Sequence, residues 1–304
     1  MTGSRWSVPA VGVVLVCVAA ATAAQSPAPA KRDELRAKLQ TELDTIAQDL
    51  DGVMGFVAVD IESGERFERH ANEVFPLAST IKLGILYELF KQSEEGRIKL
   101  DEVQPLEKRH VVGGSGVLAE LSAPSLSLRD HAVLMIVLSD NTSTNVLIDT
   151  LGMDRVNTRM AGLGLKSLLL RRRMIDLEAA RRGDENVGSP SDVARLLVAI
   201  HRGEGLQKES RDSIIAILRK PKPSALREAV PSSIPVANKT GTLEGVAADA
   251  GIVYLPDRPY VLVVTTTYLK SNAAGAAAIR AASQAAFDYF NRVARSSDYG
   301  RIIR

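Results

Sequence analysis

Between residues 33 and 50, the apolar positions Leu35, Leu39, Leu43, Ile46 and Leu50 recur at steps of three and four. That spacing gathers side chains on one helix face and predicts an amphipathic helix lying on a sheet. The period then changes. Val57, Val59 and Ile61 alternate with Ala58 and Asp60, and Glu62-Ser63-Gly64-Glu65 supplies a turn before a second strand near Arg66 to His70. From Ser79 to Lys91 the chain is largely apolar and helical, and helical character broken by loops continues to about Arg219. Two capping signals mark helix starts inside this stretch. Ser127 with Asp130 opens the apolar run Ala132 to Leu138, and Ser189-Pro190-Ser191-Asp192 opens a helix carrying Val193, Leu196, Leu197 and Ile200. Between them, Arg171 to Gly188 is polar, rich in arginine and without period, and reads as a long surface loop.

Strand patterns return at Pro235 to Thr240, Ala250 to Leu255 and Tyr260 to Tyr268, the last two joined by a turn at Pro256-Asp257-Arg258-Pro259. A final helix, Ala274 to about Val293, lines up Ile279, Ala282, Ala286, Phe290 and Val293. The order is helix, two strands, helical insertion, three strands, helix. The economical solution is an α+β fold in which one antiparallel sheet, built from both chain ends, is flanked by the terminal helices and carries a large all-helical lobe as an insertion. Residues 33–295 then form a single domain. Its sheet lobe spans about 33–75 and 230–295, its helical lobe about 76–229, and 296–304 is a frayed tail. The cleft between lobes is where chemistry is expected.

With 304 residues, 45% hydrophobic and 24% charged, the chain is long enough for a substantial core. Its 38 basic and 36 acidic residues leave a formal charge of +2, which gives no field to attract nucleic acid. The first 24 residues stand apart: Arg5, an apolar run from Val8 to Val18, then small residues from Ala19 to Ala24. This is the pattern of a secretory signal peptide with cleavage after Ala23 or Ala24, leaving residues 25–32 as a flexible mature N-terminus. The run is short and contains Pro9, so no stable membrane insertion is expected once the signal is removed. The expectation is an exported protein, periplasmic or secreted. The only cysteine, Cys17, falls in the signal, so disulfides and thiol catalysis drop out of the mature chain. His70, His110, His131 and His201 lack metal-ligand spacing, and Gly113-Gly114-Ser115-Gly116 lacks the lysine of a phosphate loop. No metal or other cofactor is expected.

Candidate chemistry begins at Ser79-Thr80-Ile81-Lys82. Residues three apart share a helix face, so the Ser79 hydroxyl is expected near the Lys82 amine. Such a spacing alone arises roughly once by chance in a chain of this length. Two further motifs follow in order: Ser139-Asp140-Asn141 after the apolar helix, and Lys239-Thr240-Gly241-Thr242 at a strand end. Taken singly they read as a helix cap, a turn and a strand end. Together they resemble the penicillin-recognising serine hydrolases, most closely the class A β-lactamases, over nearly the whole mature chain.

The resemblance implies roles. Ser79 would be the nucleophile and Lys82 its base, with burial and the neighbouring Lys239 lowering the Lys82 pKa. Ser139 would relay a proton to the leaving nitrogen, and Asn141 would bind the substrate's amide side chain. Lys239 and Thr240 would hold the substrate carboxylate, Gly241 would allow close strand approach, and the backbone N–H groups of Ser79 and Thr242 would form the oxyanion hole. Asn145 matches a position that braces the floor of the site, or is a buried helix residue with a satisfied amide. The glycine loop 113–116 would rim the cleft.

One part of the pattern is missing. Class A enzymes free the acyl-enzyme with a glutamate in a Glu-x-x-Leu-Asn context. Here the loop reads Met174-Ile175-Asp176-Leu177-Glu178. Counting back from Pro190 puts Met174 or Ile175 near the glutamate's place. Asp176, the better placed, or Glu178 would substitute if the loop is re-routed; otherwise both are solvated carboxylates paired with nearby arginines. Three functions stay open: a β-lactam hydrolase, a D-alanyl peptidase or esterase of the same fold, and a non-catalytic protein that binds penicillins or peptidoglycan fragments. In each the partner is a small β-lactam or peptidoglycan-derived molecule, and the protein is expected to be a monomer.

Overall fold

The computed structural model describes residues 1–3, 30–122, 124–297 and 299–303; all but the first three residues of the expected signal peptide, and its cleavage point, lie outside them. The described chain opens with α1 (Ala30–Asp49), β1 (Val53–Asp60), β2 (Arg66–Arg69) and β3 (Phe75–Pro76). The helical stretch follows as α2 (Lys82–Glu94), β4 (Val103–Pro105), β5 (Ser125–Ser127), α3 (Leu128–Val137), α4 (Asn141–Leu151), α5 (Met153–Gly162), α6 (Leu177–Arg181), β6 (Val187–Gly188), α7 (Pro190–Arg202), α8 (Lys208–Arg219) and α9 (Ala225–Glu228). The chain closes with β7 (Val236–Leu243), β8 (Val246–Val253), β9 (Tyr260–Thr267) and α10 (Asn272–Ala294).

One five-stranded antiparallel sheet, ordered β2-β1-β9-β8-β7, joins the two ends of the chain as the periodicity predicts. Alternate residues of each strand enter different cores. On one face Phe56, Ala58, Tyr260, Leu262 and Val264 meet Leu39 and Leu43 of α1 and Ala282, Ala286 and Phe290 of α10. Tyr260 stacks on Phe290 with ring centroids 4.4 Å apart. On the other face Val57, Val261, Val263 and Ile252 join the helical core with Leu86, Leu147, Leu197 and Ile200. A sheet covered on both faces buries every position of β8, so β8 and β9 read as continuous apolar runs rather than as alternation.

The predicted caps are present. Ser127 accepts from Asp130 N, and Ser189 accepts from Asp192 N with Pro190 at the first helical position. Three local readings change. The helix expected from Ser79 begins with a separate 3-10 turn, Ala78–Ile81, because Ala78 takes φ +47° and redirects the chain into α2. The stretch 171–188 is not a plain surface loop: it contains α6 and β6, and Arg172, Met174, Ala179 and Asn186 are buried. The end of the chain folds back, Ser296 bridging Ile302 and Ile303 N donating to Arg295 O. Among the described residues no helix is long and apolar enough to cross a membrane.

Candidate active site

Ser79 sits half-buried in the 3-10 turn between β3 and α2. The turn is held from behind: Leu77 N donates to Asn186 O at 2.9 Å, Thr80 Oγ1 donates to Leu77 O at 2.6 Å, and β3 pairs with β6. The edge strand β7 runs against its other side. A Cβ at Gly241 would meet Leu77 O at 2.7 Å and Ser79 N at 3.0 Å, so only glycine lets the strand backbone come this near the serine. Thr240 and Thr242 flank that contact on the same strand, half-buried and exposed respectively.

Lys82, on the first turn of α2, is fully buried. Its three donors are all used: on Ser139 O at 2.7 Å, Ser139 Oγ at 3.1 Å and Asn141 Oδ1 at 3.0 Å. The spacing predicts a Ser79 hydroxyl near this amine, but the hydrogen bonds of Lys82 do not go to it. Instead the ammonium reaches across to the second motif, because a buried charge takes the strongest acceptors within reach. Lys239, fully buried in β7, comes from the opposite side and donates to Ser139 Oγ at 3.1 Å and Thr240 O at 2.8 Å. The Ser139 hydroxyl thus accepts from two lysines and keeps its own proton to donate elsewhere. Ser139 itself holds φ +54°, a cost imposed by the turn that aims it.

Burial holds the Lys82 pKa well below that of an ordinary lysine; the Lys239 charge acts in the same direction and Asp140 opposes. Burial likewise brings Lys239 down to about 8, against the attraction of Asp249. Both lysines therefore titrate far more readily than exposed ones.

Asp140, absent from the expected site set, organises the rim. It caps α4 by accepting from Ser143 N, and its other oxygen accepts from Val117 N at 2.7 Å and Leu118 N at 2.8 Å. Gly116, at φ +103°, rests on this carboxylate: a Cβ there would lie 2.0 Å from Asp140 Oδ2. The signal was present in the sequence as a cap residue ahead of a periodic helix. Asn141 donates through Nδ2 to Gly113 O at 3.1 Å, which leaves one amide hydrogen unspent, and Ser115 Oγ donates to Ser139 O at 2.8 Å. The glycine loop therefore does border the second motif.

Asn145 braces the loop that follows α5. Its Oδ1 accepts from Met174 N at 2.8 Å and its Nδ2 donates to Met174 O at 3.3 Å, fixing the loop residue whose side chain is buried in the helical core. Next to it Ile175 is 40% exposed at φ +62°, a left-handed conformation that costs a β-branched residue on the order of 1–2 kcal/mol. Asp176 caps α6, Oδ1 accepting from Ala179 N at 2.9 Å, and Glu178 is exposed on that helix. Neither carboxylate joins the hydrogen bonds that tie Lys82, Ser139 and Lys239 together.

Residues 38–290 match the family described as the Beta-lactamase enzyme family. The imipenem-hydrolyzing beta-lactamase of Enterobacter cloacae is 29% identical over 234 residues, which are 74% of this chain and 80% of that protein. A solved beta-lactamase from Sphaerobacter thermophilus superposes with a TM-score of 0.77 at 30% identity, covering 84% of this chain and 97% of that one. PBP-A superposes with a TM-score of 0.78 at 29% identity, covering 84% and 96%; a mutant of PBP-A is known as an acyl-enzyme complex with penicillin-G. A family match that runs from α1 into α10 takes in the sheet, the helical core and all three motifs: the chain belongs to the β-lactamase enzyme family.

Proposed function

We propose that the protein is an exported serine hydrolase of class A type that opens β-lactams by forming an acyl-enzyme on Ser79. The observation that carries this reading is the Ser139 hydroxyl, shared at 3.1 Å by Lys82 and Lys239, which joins motifs 57 and 100 residues apart in sequence. Lys82 as a neutral amine gives up one of its three donated bonds and gains a lone pair, which takes the Ser79 proton as Oγ attacks the lactam carbonyl. The charge that develops on the carbonyl oxygen is met by the backbone N–H groups of Ser79 and Thr242. As the C–N bond breaks, the nitrogen takes the Ser139 proton, and Lys82, protonated by Ser79, returns one to Ser139. Lys239 and Thr240 hold the substrate carboxylate, and the spare Asn141 amide hydrogen meets the acyl side chain.

Release is the slow step in this reading. Met174 is apolar with its side chain buried in the helical core, Asp176 is engaged as a cap and Glu178 faces solvent, so none is poised to activate water. That same observation favours a second reading, a D-alanyl peptidase or penicillin-binding protein that β-lactams inhibit, to which the likeness to PBP-A also points. A time course of intact mass with a penicillin and a chromogenic cephalosporin separates them. We expect a stoichiometric adduct within the first time points, absent in Ser79→Ala, decaying slowly with cephalosporin turnover; a stable adduct with no turnover favours the second reading. No adduct together with no hydrolysis in the wild type refutes both.

A further inference from the structure

We infer that Asp149 is a positioning residue for acylation: its carboxylate ties the glycine loop and the loop 171–176 to α4 and so fixes the edge of the cleft that carries Asn141. The inference rests on the reading that Asn141 holds the substrate's amide. Asn141, Asn145 and Asp149 follow one another at steps of four and share one face of α4. Each binds a loop that borders the site. Asn141 Nδ2 donates to Gly113 O, and Asn145 grips the backbone of Met174. Asp149, about 12 Å along the helix from Asn141, takes both loops at once. Its Oδ2 lies 3.0 Å from His110 Nε2, and its Oδ1 pairs with the Arg173 guanidinium.

Helix α4 gives no reason of its own for an acid at this position. Asp149 stands in the last turn, where the helix dipole disfavours negative charge. Its side chain is largely withdrawn from water, and its charge is matched by partners from two loops. His110 is itself buried, and its Nδ1 finds no partner among the described residues. A buried N–H without an acceptor is costly, so the ring proton belongs on Nε2, where Asp149 accepts it. Beyond His110 the chain stays on α4: Val112 N donates to Thr142 Oγ1, which donates to Val112 O, and Asn141 N donates to Ser115 O. On the other loop Arg173 leads into Met174 and Ile175, and Ile175 packs on the glycine loop, since a Cβ at Gly114 would lie 3.0 Å from Ile175 Cδ1. The two loops are therefore joined at the cleft by Ile175 and at their roots by Asp149. Asparagine at 149 offers one acceptor atom to two donors, so Asp149→Asn frees one root. The bonds of Lys82 and Lys239 to the Ser139 hydroxyl run through neither loop, so the loss falls on substrates that use Asn141.

The test compares two β-lactams on the same nucleus: benzylpenicillin, which carries an acyl amide for Asn141, and aminopenicillanic acid, which carries a bare amine. The second-order rate constant for adduct formation on Ser79 is measured for each by intact mass. In Asp149→Asn the ratio of the first constant to the second is expected to fall about tenfold, while the aminopenicillanic acid constant stays within about twofold of the wild type. Asp149→Glu, which keeps both acceptor oxygens, is expected to hold the ratio within about threefold. Arg173→Gln releases one loop through a side chain that is 39% exposed; it should lower the ratio about threefold, and it replaces Asp149→Asn if that variant lacks a cooperative melt. A wild-type ratio in these variants, or an equal loss of both constants, limits Asp149 to stability and overturns the inference while the acyl-enzyme reading stands. If the wild type forms neither adduct, both fall.

Discussion

Replacing Lys239 by arginine separates the two lysines that share Ser139. In the folded protein Lys239 titrates near 8 rather than 10.5, chiefly because it is buried. At roughly 1.4 kcal/mol per unit, that displacement disfavours the buried ammonium by about 3 kcal/mol. The sign follows from proton counting. Between pH 8 and 10.5 the unfolded chain holds a proton on Lys239 that the folded chain has released, so this residue's contribution to stability rises with pH across that window and is flat below it. In the proposed mechanism acylation runs the other way, because the substrate carboxylate would need the charged form. Its second-order rate constant, which reports the free enzyme, should rise at low pH as Lys82 becomes neutral and fall about tenfold per unit above pH 8 as Lys239 does. Arginine stays charged throughout, so Lys239→Arg should lose the upper limb while keeping the lower one. Lys239→Gln removes a charge that helps hold the Lys82 pKa down, so its lower limb should move to higher pH. Rates of adduct formation across about pH 5 to 10, on variants that keep a cooperative melt, provide the measurement. A descent near pH 8 that survives in Lys239→Arg would assign the limb to another group and refute the argument.

Met174→Glu puts a carboxylate into the helical core where the Met174 side chain is buried, and should destabilise by at least about 3 kcal/mol, read from the urea unfolding midpoint. Gly116→Ala drives a methyl group into the Asp140 carboxylate and should cost more than about 3 kcal/mol in urea unfolding, with slower acylation as the rim shifts. Asn145→Ala strands the N–H and carbonyl of Met174 and should destabilise by about 2–4 kcal/mol, measured by the same unfolding midpoint.

What the sequence made legible was whatever depends on period or on fixed spacing. The strands near β1, β2, β7, β8 and β9 and the helices α1, α3, α7 and α10 could be read because alternation and three-four spacing reflect which face is buried. The two-residue strands β3 and β6 could not, since they pair with each other across more than 100 residues and Val187 also bridges Leu169, partners that no local pattern encodes. For the same reason 171–188 read as a surface loop. Its order comes from Asn186 and Asn145 bonding its backbone, contacts that a count of polar residues mistakes for solvation. At the site, the three motifs identified the groups but not their partners. Lys82 was expected near Ser79 by proximity in sequence, and its hydrogen bonds go to Ser139 and Asn141, 57 and 59 residues on. Asp140, in the second motif, reads locally as a turn or cap residue, and its bonds to Val117 and Leu118 span 23 and 22 residues that no local pattern encodes.

The inner place of β1 in the sheet bears on how the molecule is made. Its neighbours are β2 and β9, and Gly55 O meets Thr265 Oγ1 across 210 residues of chain. Until the last segment has emerged from the ribosome, β1 lacks its longer partner and one core has no α10 to cover it. Contacts of such long range are slow to form, and collapse onto them waits for the C-terminus. The sheet lobe is therefore incomplete for the whole of synthesis, and it closes only afterwards.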